Sequence, residues 1–428
     1  MKVSESMLQY IWKYRLFKHT EIYTLSGKSL RIEKVGAHNF NEGPDFENAL
    51  VTIDGVDWVG NIEVHISSTE WNNHKHQFNP NYNNVILHVV YRYDSEIKRE
   101  DGTIPETLEL MPLIDQDVLD KYLLMENSMH WIPCEKLINT VDSFYINQWL
   151  QRVVVERLAS KSTFIYSLLN EYRGNWEEIA YIVLARNFGF NINSEAFEQL
   201  ARSLPYSLIQ KYKHDPLVIE ALLFGQAGML ENNEFHEDYP LRLQKEYKYL
   251  RKVYSLKPIE KTNWKFLRMR PLNFPTLRIA QFASICFEIN HLFAEIIELE
   301  NLDLWKFKFN ALTVNEYWAT HYHFKKVSGN HNTRLGERAI ELILINTIVV
   351  LLFSYGKYIG NEDFIDRSIA FLERIKPENN RIIQRYKELG VEVKTAADTQ
   401  ALKQLKTIYC DKKRCLHCEI GYQIIKTT

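Results

Sequence analysis

The chain has 428 residues, 46% of them hydrophobic and 25% charged, with a formal net charge of −2. This balance excludes a disordered or generally basic protein, and the length exceeds what one core fills, so roughly two or three domains are expected. A mean hydropathy of −0.31 fits a soluble chain.

The N-terminal "MKVSESMLQYIWKYRLFKH" has its apolar run broken by Glu5, Gln9, Lys13 and Arg15, which is unlike a secretory signal. Within it Met7, Leu8, Ile11, Trp12 and Leu16 follow helical spacing, with Ser4 as the N-cap. From Ile22 to about Tyr93 the period changes to two. "SLRIEKV", "ALVTIDG" and "VDWVGNIEVHI" alternate, and Asp54-Gly55 between two such runs signals a hairpin. "NNVILHVVYRYD" is more fully apolar and reads as a central strand, and "ETLELMPL" as a further one. His74 to Asn84, rich in Asn and Pro, reads as a loop.

After about Ser143 the pattern is helical almost to the end, and the composition shift near residues 130–145 marks a boundary. The expected organisation is residues 1–140 as an α/β domain and 141–428 as a helical domain with a Cys-containing tail. The longest apolar stretch, Ile340 to Phe353, is shorter than the ~20 residues a bilayer requires and contains Glu341 and Asn346. A buried helix is expected there, and no membrane partner. The five cysteines are an odd number with no export signal, so a reducing cytoplasm is the expected setting.

Chemistry concentrates in "GPDFENALVTIDGVDWVGNIEVHISSTEW". Strand alternation puts Glu63 and His65 on one face and Val64 on the other. The hairpin brings Asp45 toward Glu63. Two close carboxylates are comfortable with a divalent cation between them, and hard Mg²⁺ or Mn²⁺ takes oxygen ligands. A cation there lowers the pKa of bound water and offsets phosphate charge. The same alternation also arises on any solvated face of an antiparallel sheet. His65, His74, His76 and His88 allow a rival arrangement, in which several imidazoles on a β-rich scaffold hold Zn²⁺ or Fe²⁺. His88, inside "VILHVVY", reads as a core histidine.

Pro44-Asp45, a hairpin, then Glu63-Val64-His65, preceded by a helix, resembles the PD-(D/E)XK nuclease superfamily over about the first quarter of the chain. The resemblance implies an α+β protein, with a restriction-endonuclease-like α/β N-terminal domain followed by a large all-α region. It implies Asp45 and Glu63 as Mg²⁺ or Mn²⁺ ligands, Glu5 as an added acidic residue from the first helix with Gln9 on the same face, and phosphodiester hydrolysis in DNA or RNA. His65 stands where that superfamily usually has Lys, and "SSTEWNNHKHQFNPNY" looks like a loop where it has a helix. Across the whole chain, "GPDFENA", "GNIEVHISSTEW", "HKH", "VILHVVY", "RPLNFPTLRIAQ" and "CLHCEIG" resemble an uncharacterised bacterial family, domain of unknown function 2851. Two other functions stay open: a non-catalytic nucleic-acid-binding or assembly protein, and a His-rich metalloprotein of another class.

Leu241 to Arg278 is locally basic, with Tyr247, Tyr249, Tyr254, Trp264 and Phe266 interleaved. Cations for phosphates and aromatics for stacking suit a nucleic-acid partner, through Lys248, Arg251, Lys252, Lys265, Arg270 and Arg278. "SGNHNTRLGERA" lacks the Lys-Ser/Thr ending of a P-loop. In the tail, Cys410-x4-Cys415-x2-Cys418 is close to zinc or iron–sulfur spacing. A Zn²⁺ site there requires a remote fourth ligand, because the adjacent His417 and Cys418 do not easily share one ion. Cys134 and Cys286 sit among apolar residues and read as core.

Overall fold

The computed structural model describes residues 3–231 and 234–426. Two compact units emerge: one holds Met1–Trp149, Glu388–Val391 and Leu405–Thr428, the other Leu150–Lys387 and Glu392–Gln404. The C-terminal cysteines therefore belong with the first unit.

The first unit opens with α1 (Glu5–Tyr14), whose N-cap Ser4 accepts the Met7 N–H. Met7, Leu8, Ile11 and Trp12 on one stripe are fully buried, as their spacing predicts. Glu5 and Gln9 occupy another stripe. The strands are β1 (Ile22–Tyr23), β2 (Ser29–Lys34), β3 (Ala37–His38), β4 (Phe46–Ile53), β5 (Val56–Ser67), β6 (Val85–Arg92) and β7 (Glu106–Glu109). The sheet runs β1-β2-β4-β5-β6-β7, with β3 pairing β4. β4 pairs antiparallel with both β2 and β5, whereas β6 and β7 add in parallel. The two ends also meet: the Leu25 N–H donates to the Thr107 carbonyl at 2.9 Å, and Ser26 and Lys28 reach Glu106. The result is a mixed sheet nearly closed into a barrel. That closure buries β6 throughout its apolar run, the pattern its sequence carries.

The predicted hairpin forms at Asp54-Gly55, both with positive φ (48° and 77°), matching the twist of a two-residue turn. β5 changes character along its length. Val56–Val59 are exposed, but Ile62–His65 are buried on both faces. Gly60 lies at the change. A Cβ there would stand 2.4 Å from Ile86 and 2.7 Å from the Asn84 carbonyl, so only glycine lets β6 approach.

Between β5 and β6 the expected loop is more ordered than its Asn and Pro content suggests. It holds a one-turn helix, α2 (Glu70–Asn73), and 3₁₀ turns at His76–Phe78 and Pro80–Tyr82. Polar side chains closing the local turns make this order possible. α3 (Gln116–Glu126) follows β7.

Beyond α4 (Ser143–Glu171) the chain is a large all-α region, with one small hairpin of His321–His323 and Lys326–Val327. The helical stretch Glu337–Ile359 has 23 residues, long and apolar enough to cross a membrane, which corrects the length inferred from its most apolar part. Its apolar window is 72% buried within the structure, so it serves as a core helix.

Candidate functional site

Asp45 and Glu63 are brought together. The Asp45 N–H donates to Glu63 Oε2 at 3.1 Å, and Asp45 Oδ2 accepts the Val64 N–H at 3.0 Å. These reciprocal bonds fasten the start of β4 to β5, and Gln9 of α1 completes them by donating to Asp45 Oδ1 at 2.8 Å and Glu5 Oε1 at 3.2 Å. Glu5, Gln9, Asp45 and Glu63 are thus linked by hydrogen bonds. Their use differs from an oxygen-only cation site. Both Asp45 oxygens and Glu63 Oε2 are engaged by N–H donors, which leaves Glu63 Oε1 directed at imidazoles.

Glu63 Oε1 is 3.4 Å from His65 Nε2 and 3.2 Å from His76 Nε2. His65 Nε2 is also 3.2 Å from His74 Nδ1. Among the described residues, the group of His, Cys, Asp or Glu able to hold a metal is His65, His74 and His76, with one ligand atom from each within 4.8 Å of the others. The histidine arrangement that the sequence left as a rival is therefore the one that forms a cluster capable of coordinating a metal. The face bearing Glu63 and His65 is not solvated: the two residues are 5% and 0% exposed.

The cover over that face is built by "SSTEW". Ser68 and Thr69 hydroxyls and the Thr69 N–H donate to Asp94, and the Asp94 N–H returns to Ser68. Glu70 accepts the Ile66 N–H, closing the turn after β5. Lys75 then takes a left-handed conformation (φ 64°), which turns His74 and His76 toward His65. His76 stacks on Tyr82 at 3.7 Å, and Trp71 packs edge-on against His76 and His88. Trp71, Tyr82, Glu70 and Asp94 were not singled out by sequence. The Ser-Ser-Thr run ahead of an aromatic was a turn signal, but its partner Asp94 lies a strand away.

His88 is a core residue, as predicted, but it also touches the cluster: its Nε2 is 2.9 Å from His65 Nδ1. Its Nδ1 and His76 Nε2 are buried without a hydrogen-bond partner. His76 Nε2 is close to Glu63 but outside hydrogen-bond alignment. Orphaned buried polar atoms are rare and call for an explanation.

Burial sets the charge state. It pushes the Asp45 carboxyl up to about 7, with Glu63 and Glu5 adding repulsion, and Glu63 up to about 8. It raises Glu5 as well. Burial lowers His65 to about 2, His76 to about 4 and His88 to about 3. Without an ion, desolvation thus favours neutral acids beside neutral imidazoles. A divalent cation reverses the preference of the carboxyls.

The basic stretch lies in the second unit. Lys248, Arg251 and Lys252 project from the helix Asp238–Tyr254, and Lys265 and Arg270 are also exposed. Arg251 is ion-paired with Glu231. Arg278 is apart from this surface: it is 6% exposed, stacks on Phe190 and binds Asn273 and Gln281. Two of the interleaved aromatics are core rather than stacking surface. Tyr247 packs against Gly225, and Trp264 donates to the Ala227 carbonyl. Tyr249 is exposed.

No disulfide joins the cysteines, and they do not close on a single zinc among the described residues. Cys410 ends a π-helical turn, Cys415 lies in a 3₁₀ turn and Cys418 precedes the final helix.

Fold and site together define a protein with a nearly closed mixed-sheet domain, a part-buried histidine cluster able to hold a metal, and a helical region. Residues 5–381 match the family described as "Protein of unknown function (DUF2851)", and the chain belongs to that family. The matched span ends before the cysteine tail. No curated protein and no solved structure matches the chain.

Proposed function

We propose that the first unit is a metal-dependent hydrolase whose divalent ion is held by His65, His74 and His76, with Glu63 at its edge. The observation that carries this reading is the convergence of one nitrogen from each of His65, His74 and His76 within 4.8 Å of one another, with Glu63 Oε1 beside His65 and His76. Imidazoles suit Zn²⁺, Fe²⁺ or Mn²⁺ better than Mg²⁺. When bound, such an ion supplies Lewis acidity and an acidified water.

The protein groups have distinct tasks. His88 accepts a hydrogen bond from His65 Nδ1, which fixes the tautomer and leaves the Nε2 lone pair for the ion. Glu63 Oε1 accepts the proton of the attacking water. Asp45 and Gln9 orient Glu63 and Glu5. Trp71 and Tyr82 wall the site from solvent, and exposed His74 marks the side from which substrate enters.

Metal analysis of the full chain purified without chelator tests the reading. About one equivalent of zinc or manganese, or of iron unaccompanied by acid-labile sulfide, is expected, lost in His65→Ala and His76→Ala. Retention in both variants rejects the site.

Phosphodiester hydrolysis in DNA or RNA is the second reading. It is supported by the order of α1, an antiparallel β2-β4-β5 set and a parallel β6, with Glu5, Asp45 and Glu63 meeting where β4 begins. That is the arrangement expected of a restriction-endonuclease-like domain with His65 in place of Lys. The exposed Lys248, Lys252, Lys265 and Arg270 then serve a nucleic-acid partner. Metal-loaded protein that leaves both DNA and RNA intact, while Asp45→Ala binds metal normally, rejects this reading and keeps the first.

A further inference from the structure

Cys134 looked like an ordinary core cysteine in the sequence. In the fold it lies with the tail cysteines. Cys134, Cys410, Cys415 and Cys418 line one small recess, together with Arg414 and Gly421. All belong to the first unit. Four thiols from two segments nearly 300 positions apart meet at one place, and packing alone does not require four sulfur residues there.

The spacing of the sulfurs is informative. Four thiolates on one zinc, at about 2.3 Å each, stand about 3.8 Å apart. Among the described residues no three of these sulfurs come within 4.8 Å of one another. The sulfurs share one recess without the close spacing of a one-zinc site.

The backbone is arranged for thiolates. Cys418 accepts hydrogen bonds from the backbone N–H groups of Ile420 and Gly421, at the start of helix Glu419–Lys426. N–H donors and a helix N-terminus both favour a negative sulfur. Gly421 is required sterically: a Cβ would stand 2.3 Å from the Cys415 carbonyl oxygen. Arg414 brings a positive charge to the rim. Lys413 ties the loop down by donating to the Glu126 carbonyl at the end of α3 at 2.6 Å. Metal-free, burial holds Cys415 up at about 12 and Cys418 up at about 11, so these sulfurs remain protonated until a cation replaces the proton.

We propose that Cys134, Cys410, Cys415 and Cys418 together ligate an iron–sulfur cluster. The tail spacing Cys-x4-Cys-x2-Cys with one distant cysteine is a cluster-binding spacing, and Cys134 supplies the distant ligand. On ligation each thiol releases one proton to solvent and forms one iron–sulfur bond. The cluster fastens the C-terminal segment to the loop after α3, independently of the histidine site.

The test is the full chain purified without oxygen. Iron and acid-labile sulfide are expected in a one-to-one ratio, about two or about four of each per chain. Iron at the histidine site brings no sulfide, so sulfide isolates this proposal from the other. Cys134→Ser is expected to lower the sulfide content about tenfold, whereas Cys286→Ser, in the second unit, keeps it. Because Cys134→Ser could disturb folding, alkylation of the wild type gives a second measurement. The partly exposed Cys410 and Cys415 are expected to resist alkylation at alkaline pH until iron is chelated, then to react. Zinc without sulfide overturns the proposal, as does wild-type sulfide in Cys134→Ser. Absence of iron and sulfide, even after incubation with ferric and ferrous iron and sulfide, also overturns it.

Discussion

The second half of β5 and the helix Asp238–Tyr254 both present polar residues at regular spacing beside an apolar stripe, yet they differ in what covers them. The β5 face is roofed by the Ser68–Tyr82 segment, and its carboxylate and imidazoles lose water together. The helix keeps Lys248, Arg251 and Lys252 in solvent, where screening weakens each charge. The difference teaches that alternation identifies a face, while a second layer decides whether it becomes a site. In water these side chains are ordinary. Under a roof their charges shift and their unpaired lone pairs converge.

The largest expected effect breaks or upholds this contrast directly. Replacing His76 with Ala removes a cluster nitrogen and the ring stacked on Tyr82, and is expected to weaken Zn²⁺ or Mn²⁺ binding by about 100-fold or more. Isothermal titration of wild type and variant measures it. Unchanged affinity means that the roofed face is packing only.

A smaller effect sharpens the role of the roof. Asp94 touches no imidazole, but it holds Ser68 and Thr69. Asp94→Ala is expected to weaken metal binding about tenfold through misplacement of His74 and His76. The sheet is expected to remain folded by circular dichroism. Wild-type affinity in this variant shows that the roof forms without its tether.

The pH dependence of the metal-free protein comes next. Asp45 and Glu63 have raised folded values, so the stability that their neutral forms contribute is full below about pH 4 and lost as pH rises through about 7 to 8. His65, His76 and His88 have lowered values, so their contribution is full above about pH 6.5 and lost as pH falls toward 4 and below. Melting temperature is therefore expected to peak near neutrality and to fall by a few degrees by pH 8.5. Saturating Zn²⁺ is expected to remove the alkaline fall, because the ion binds the ionised carboxyl environment. A fall that persists with the metal separates the carboxyls from the ion.

The smallest effect concerns the open face. If Lys248, Arg251, Lys252 and Lys265 contact phosphates, reversing their charges flattens the salt dependence of nucleic-acid binding by about one unit of slope per contact. Filter binding across a salt series reads the slope. An unchanged slope leaves the helix a solvated face, and the contrast with β5 becomes one of function against surface.

Much of this architecture was legible along the chain. Ser4 and the stripe Met7-Leu8-Ile11-Trp12 specify α1, because capping and the 3.6-residue period act locally. Asp54-Gly55 specifies the hairpin, and the unbroken apolar run of "VILHVVY" specifies a strand buried on both sides. Strand period also determined that Glu63 and His65 share a face. What the sequence could not determine was which groups that face would meet. His74 and His76 lie in a polar loop whose conformation depends on Asp94 and on the left-handed turn at Lys75. Cys134 reads as core because its partners are almost 300 residues away. Arg278 reads as a surface cation because nothing local reveals that Phe190 will cover it. Local order follows from steric and hydrogen-bond rules acting within a few residues. The sites required tertiary structure, because burial and convergence are set by contacts between distant segments, and these decide which polar groups lose their water.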